Sequence, residues 1–261
     1  MPAMAETALF LLAAHLVADF VLQDRWMVAN KRRLRVFALH IGIVAVTAWL
    51  ALASFHRAAL LAVAVIAGTH ALMDWIKLRR LGPGLWSFAL DQAVHLSVIA
   101  TVAAIWPGLW AGGAWGALPA AEQATVLAIA TVLAGLIAAM RAGAVVLREA
   151  IRALGWENEA TAASLPGAGA LIGQLERALI LFFMLSAQPT GVALLVGAKA
   201  VLRIRNDDRR HSEYVIVGTL LSFGWALGVA ALAQAALARW APPAPSALSA
   251  CVQCPAPMPP P

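Results

Sequence analysis

The chain has 261 residues, of which 62% are apolar and 12% are charged, and its formal net charge is +6. Soluble domains average about 25% charged residues and 45–50% apolar residues, so this composition excludes a soluble protein and indicates an integral membrane protein. The basic residues collect in a few loops, which is typical of membrane topology rather than of nucleic-acid binding.

Eight apolar runs of about the length of a membrane span, or slightly less, follow one another along the chain. They predict an all-α fold, a polytopic bundle of about eight transmembrane helices. The seventh run is short and follows the sixth after Gln188-Pro189 alone, so six to eight spans are compatible with the pattern. We expect the first run to be retained, because it lacks the basic segment of a signal peptide. The runs cover residues 6–23, 37–55, 58–76, 88–106, 123–140, 170–187, 190–202 and 213–238.

Of the 19 Lys and Arg residues, all but Arg57 and Arg239 are assigned to the side of the loops that follow the first, third, fifth and seventh runs. The positive-inside rule makes these loops cytoplasmic, and both termini are then periplasmic. The loop from 107 to 122 has no Lys or Arg and follows Trp106, with Trp110 and Trp115 inside it. We expect these tryptophans to form an aromatic belt at the outer interface.

The predicted spans divide into two groups. Residues 1–106 form a four-span bundle that carries ionisable side chains, and residues 171–240 form a second bundle. Between them, residues 107–170 contain the outer loop, the fifth span and an amphipathic stretch whose arginines suit anionic headgroups of the inner leaflet. Residues 241–261 predict a disordered Pro-rich tail, in which Cys251 and Cys254 are a weak signal for metal or redox chemistry.

Three of the first four spans contain a histidine and an aspartate four residues apart, which places both on one face of a helix. The order is reversed in the fourth span, which runs opposite to the first and third. The reversal predicts a layer of carboxylates nearer the cytoplasm and a layer of imidazoles deeper in the membrane, with His40 joining from the second span. The pairs are His15 with Asp19, His70 with Asp74, and Asp91 with His95.

Ionisable residues inside a span cost about 2.5–3.5 kcal/mol each, so they usually face one another or a wet cavity. Imidazole and carboxylate are ligands for Zn²⁺, Mn²⁺ and Fe²⁺, so the three pairs predict a site for one or two divalent metal ions. We expect His40 to be a further ligand or a general base, and Lys77 to act in catalysis. Gln23 and Gln92 would orient the ligands. A proton relay and structural His–Asp pairs remain alternatives.

The second bundle carries a smaller group of polar residues near its predicted cytoplasmic ends. The group could bind an anion or a lipid headgroup, and snorkelling charges with internal ion pairs are the alternative. Its members are Glu176, Arg177, Lys199 and Arg203.

The ordered motifs of both halves resemble the bacterial membrane proteins of domain of unknown function 3307 (DUF3307). The resemblance covers about residues 7–230 and implies a multi-pass protein of the bacterial inner membrane, with no established activity. A looser similarity links the His and Asp residues to membrane-embedded metal-dependent hydrolases. The matching motifs are His15-xxx-Asp19-Phe20-xx-Gln23, His40, His70-xxx-Asp74-xx-Lys77, Asp91-Gln92-xx-His95, Ile172-Gly173-x-Leu175-Glu176-Arg177, Ala198-Lys199-xx-Leu202-Arg203 and Glu213-Tyr214-xxx-Gly218-Thr219-Leu220.

The leading hypothesis from the sequence is a metal-dependent, hydrolase-like enzyme that acts on an amphiphile with an anionic head at the cytoplasmic leaflet. A divalent-metal or proton-coupled transporter could use the same residues, and a membrane scaffold could carry them as a structural cluster. The predicted partners are the lipid bilayer and anionic headgroups. The sequence names no protein partner and leaves open whether the chain is an enzyme.

Overall fold

The computed structural model describes residues 2–156, 167–203 and 209–240, and these described residues contain no strand. The predicted tail, with Cys251 and Cys254, lies outside them, as does the side chain of Arg203. The all-α prediction is confirmed. The helices are α1 (Pro2–Phe20), α2 (Arg25–Asn30), α3 (Leu34–Leu52), α4 (Arg57–Ile76) with a π-helical extension (Lys77–Leu81), α5 (Leu85–Ile105), a 3₁₀ turn (Ala114–Ala117), α6 (Ala120–Ile137) with a π-helical extension (Ala138–Ala142), α7 (Gly143–Ala153), α8 (Ala168–Leu185), α9 (Pro189–Arg203) and α10 (Arg209–Trp240).

Seven helical stretches in the described part of the chain are long and apolar enough to cross a membrane. They correspond to every predicted span except the seventh, and they confirm a polytopic bundle. The seventh predicted span is α9, which has 15 residues and is therefore about 22 Å long at 1.5 Å per residue. Its length places it below a full hydrocarbon core of about 30 Å.

Helix α9 runs antiparallel to α8. Near the start of α9, Gly191 lies so close to Phe183, near the end of α8, that an added Cβ would overlap its ring. Further along α9, Lys199 pairs with Glu176 in the middle of α8. The chain therefore turns back at residues 186–188, and α9 lies alongside α8 in the opposite direction.

The fifth span continues without interruption into the predicted amphipathic stretch, through the π-helical extension of α6. A π-turn disturbs the regular ladder of helical hydrogen bonds and directs carbonyl groups outward. The Arg177 side chain donates from Nε to the carbonyl of Ala139 at 2.6 Å and from Nη2 to that of Met140 at 3.1 Å. The Trp225 indole donates to the carbonyl of Ala138 at 2.9 Å. These hydrogen bonds connect helices α8 and α10 to the end of the fifth span.

The close approach of α10 to this π-turn depends on Gly143. A Cβ at Gly143 would lie 2.7 Å from the indole of Trp225 and 3.1 Å from Nε of Arg177. Gly143→Ala is therefore expected to destabilise the protein by about 1–3 kcal/mol, the usual cost of overpacking, despite the better helix propensity of alanine. Unfolding in detergent micelles measures the change. Gly228→Ala is the matched control, because nothing lies within 4 Å of its added Cβ, and equal stabilities for the two variants would contradict the prediction.

The outer loop folds back into the first bundle. Trp110 is fully buried, and its ring centroid lies 5.4 Å from that of Phe10. Its backbone N–H donates to the hydroxyl of Thr7 at 3.2 Å, and that hydroxyl donates to the carbonyl of Pro107 at 2.7 Å. The prediction of an interfacial position is therefore wrong for Trp110. The outer loop closes over the end of α1, and the indole of Trp110 packs between the loop and this helix.

Candidate metal centre

Four helices bring the predicted ligands together at one depth of the first bundle. Helices α1, α4 and α5 each contribute a His–Asp pair on a single face, and α3 contributes one histidine. The aspartate of α1 has a side chain that is 9% exposed, whereas the remaining ligands are buried. These buried residues are His15, His40, His70, Asp74, Asp91 and His95.

The centre of the group is formed by the Nε2 atoms of His40 and His70, which lie 3.1 Å apart. An Asp74 oxygen lies 3.5 Å from the first nitrogen and 3.4 Å from the second. An Asp19 oxygen lies 3.6 Å and 3.5 Å from the same two atoms. Ligands of a tetrahedral ion with bonds of about 2.0–2.1 Å are separated by about 3.3–3.4 Å. The spacing of His40, His70 and Asp74 therefore suits one divalent ion, and the ligand atoms of these three residues all lie within 4.8 Å of one another.

Two further groups of ligand atoms adjoin this centre. His15, Asp19 and His70 form one, and Asp74, Asp91 and His95 form the other, with the atoms of each group within 4.8 Å of one another. The first shares His70 with the centre and the second shares Asp74. Because a carboxylate can bridge two ions, the arrangement has room for a second ion beside the first.

Adjacent rings fix the orientation of the imidazoles. The rings of His70 and His95 are stacked, with centroids 3.9 Å apart and planes 9° apart. Gln23 Nε2 lies 3.2 Å from Nε2 of His40, and Gln92 Oε1 lies 3.2 Å from Nε2 of His15. Both glutamines predicted to orient the ligands therefore contact a histidine.

Several polar atoms of the cluster are buried without a hydrogen-bond partner in the part of the chain that the structure describes. They include Oδ1 of Asp19. Oδ1 of Asp91 and Nε2 of His95 also make no hydrogen bond of good geometry, although they lie 3.3 Å from each other. Buried polar groups in folded proteins are nearly always satisfied, and an isolated carboxylate oxygen is costly to bury. A bound ion or water at this position would supply the missing contacts.

Two lysines neutralise the carboxylate layer. Nζ of Lys77 lies 2.6 Å from Oδ2 of Asp91, and Nζ of Lys31 lies 2.6 Å from Oδ2 of Asp74. Lys31 is 8% exposed and follows the short helix α2, whose first turn is capped by Asp24. The sequence analysis missed Lys31 because it opens a run of basic residues, 31–35, that was attributed to topology.

Residues 7–111 match the model of a family described as "Protein of unknown function (DUF3307)". Residues 7–111 are a DUF3307 domain. No curated protein and no solved structure matches the chain significantly.

The DUF3307 domain contains every residue of the His/Asp cluster and both of its lysines. It ends before α6, so the resemblance predicted for the second half lies beyond the matched residues. The family match therefore coincides with the part of the chain that forms the candidate metal centre.

Outside the DUF3307 domain, the side chains of Glu176, Arg177 and Lys199 are described, three of the four residues predicted to bind an anion or a headgroup. Arg177 is 3% exposed and directs three N–H groups to Ala139, Met140 and Ser222. Glu176 and Lys199 pair with each other. These contacts give Arg177 a task in holding the fold, and headgroup binding by the second bundle stays a prediction.

Proposed function

We propose that the DUF3307 domain is a membrane-embedded, divalent-metal-dependent hydrolase for an amphiphile with an anionic head. The observation that carries the proposal is the convergence of two imidazole nitrogens and two carboxylate oxygens from three helices, at 3.1–3.6 Å. Zn²⁺, Mn²⁺ and Fe²⁺ are the ions that suit this donor set.

In this proposal His40, His70 and Asp74 would hold one ion, with Asp19 beside them. Asp91 and His95, together with Asp74, would hold a second. A divalent ion in such a site polarises the scissile group and lowers the pKa of water toward about 7. The sequence allowed His40 to be a ligand or a general base, and this proposal makes it a ligand.

The two lysines favour an anionic head over a neutral one. Lys31 and Lys77 offset the charge of two carboxylates, which would otherwise repel an anion that approaches the centre. The side chain of Lys77 is 28% exposed, so its ammonium can also contact a head that enters from the membrane surface. By the positive-inside rule we place this surface at the cytoplasmic face of the inner membrane, with both termini periplasmic.

The proposed reaction consumes one water. Its oxygen forms a bond to the acid centre of the head, the ester bond to the leaving oxygen breaks, and the proton given up by water passes to that leaving oxygen.

A transporter is less well supported, because an apolar layer closes the cluster on the side away from the carboxylates. One turn beyond each histidine, the same helix face carries a buried aliphatic residue, so a solute would meet hydrocarbon beyond the imidazoles. A structural scaffold is less well supported, because Oδ1 of Asp19 is buried without a hydrogen bond among the described residues and would destabilise a cluster that held no ion. The aliphatic residues are Leu11, Val44, Ile66 and Ile99.

The proposal predicts hydrolysis by protein reconstituted in phosphatidylcholine nanodiscs and loaded with Zn²⁺, Mn²⁺ or Fe²⁺. Long-chain alkyl phosphates and anionic phospholipids are the substrates to test, with the released head as the readout. Loss of a ligand in His70→Ala should lower turnover by about 100-fold or more. Arg148→Gln, an exposed change on α7, should leave it unchanged.

Two results would contradict the proposal. One is the absence of turnover for every amphiphile in the metal-loaded protein. The other is metal uptake into sealed vesicles that His70→Ala abolishes while no lipid is hydrolysed, which would establish the transporter instead.

A further inference from the structure

A groove lies between α4 and α5, with a volume of about 520 Å³. Its lining is apolar apart from three hydroxyl groups, and one of these, on Thr69, is bonded within its own helix to the carbonyl of Val65 at 2.7 Å. A lining of this kind suits a hydrocarbon chain and offers little to a polar solute. The groove residues used below are Thr69, Ser97, Val98, Thr101 and Trp106.

The groove lies next to the His/Asp cluster. A second cavity, of about 10 Å³, adjoins it and is lined by His15, His70 and His95. Thr69 and Val98 line both cavities. The smaller cavity has room for about one water molecule. Thr69 and Val98 therefore separate one end of the groove from the imidazoles of the candidate metal centre by a single layer of side chains.

The length of the groove matches the chain of one membrane leaflet. From His95 to Trp106, helix α5 rises by about 16 Å at 1.5 Å per residue. Half of a bilayer hydrocarbon core is about 15 Å. A chain that begins at the imidazole layer would therefore end near Trp106, at the far end of the groove and next to the outer loop.

The charged end of the cluster lies on the opposite side of the imidazoles from the groove. In α5, Asp91 lies one turn before His95, whereas the groove extends after it. Lys77 pairs with Asp91 on that side. An amphiphile with its chain in the groove would therefore place its head toward the lysines, and the bond between head and chain would lie at the imidazoles.

We infer that the groove between α4 and α5 binds the hydrocarbon chain of the substrate, which is a long-chain amphiphile with an anionic head. The role of the anionic head in this inference rests on the proposed function, whereas the chain-binding site rests on the groove itself. It narrows the substrate to molecules whose chain has roughly the length of one leaflet, and short-chain or soluble esters are poor substrates.

Photolabelling tests the inference. A long-chain alkyl phosphate with a diazirine at the end of its chain is added to the full-length protein in phosphatidylcholine nanodiscs. Labelled residues are then mapped by mass spectrometry. We expect labels on α4 and α5 near Thr101 and Trp106. Ser97→Trp, which fills the groove, should lower this labelling about tenfold, because it removes the contacts of two or more methylene groups.

Ala100→Trp is the matched control, since Ala100 is exposed on α5 and does not line the groove. It should label like the wild type. Labels spread evenly over all helices, or equal labelling of the two tryptophan variants, would overturn the inference.

The same samples separate this inference from the proposed function. Their metal content is measured by elemental mass spectrometry, and Ser97→Trp should keep the metal of the wild type. If the protein holds metal but Ser97→Trp does not change the labelling of the groove, the chain site alone is overturned. Groove labelling lost in Ser97→Trp, in protein that never holds metal, supports the chain site and overturns the metal-dependent reaction.

Discussion

Asp74→Ala is expected to lower the free energy of unfolding by about 3–5 kcal/mol, the usual cost of leaving one partner of a buried ion pair uncompensated. The carboxylate of Asp74 lies 2.6 Å from the ammonium of Lys31, and both side chains are less than a tenth exposed. Truncating Asp74 leaves that buried ammonium without its carboxylate partner and beside the imidazoles of the cluster. Denaturant unfolding in detergent micelles measures the loss.

The charge-balanced variant Lys31→Met/Asp74→Ala provides the control. Removing both charges avoids the unpaired ammonium, so the double variant should regain most of the stability lost in Asp74→Ala. The losses in unfolding free energy of Asp74→Ala and of Lys31→Met are compared with that of the double variant. If the two losses simply add, the ion pair does not couple the two residues and the explanation is wrong.

Arg177→Met should destabilise the second half of the chain by about 3 kcal/mol or more. The guanidinium makes three hydrogen bonds, to Ala139, Met140 and Ser222. Hydrogen bonds from a charged donor contribute about 1.5–3 kcal/mol each, and part of the loss is recovered when the structure relaxes. Hydrogen exchange measured by mass spectrometry should show faster exchange at residues 138–142 and in α8 and α10.

Two variants make this test specific. Arg177→Lys should restore little stability, because an ammonium cannot span the positions that the planar guanidinium reaches. Arg148→Met removes an exposed arginine and should change stability by less than about 0.5 kcal/mol. Equal effects of Arg177→Met and Arg148→Met would show that the bonds to the π-turn do not support the fold.

The sequence predicted the class of fold and the members of the cluster because both depend on local periodicity. Apolar runs of span length require helices, and a spacing of four residues places histidine and aspartate on one helix face. The reversed order of Asp91 and His95 predicted a common depth. The structure places His95 against His70, with stacked rings, as this argument requires.

Features that depend on packing between distant segments could not be predicted. Lys31 has the same local pattern as its exposed neighbour Arg32, and the position of α2 alone directs it to Asp74. Arg177 has the pattern of a snorkelling charge, and two of its three partners are carbonyl groups of the π-turn, which no sequence signal revealed. Trp110 has the sequence pattern of an interfacial belt, and it is buried only because the outer loop folds over Thr7.

The metal content of the purified protein tests the central claim most directly. Elemental mass spectrometry compares the wild type with Lys31→Met/Asp74→Ala, which loses a ligand without leaving an unpaired ammonium, and with Lys31→Met, which keeps every ligand. Each sample must elute as a single folded species after supply of Zn²⁺, Mn²⁺ or Fe²⁺.

We expect metal in the wild type and in Lys31→Met, and its loss in the charge-balanced variant, because Asp74 belongs to two of the three ligand groups. A wild-type protein that holds no metal under these conditions, or a charge-balanced variant that holds as much as the wild type, would contradict a metal centre built on His40, His70 and Asp74.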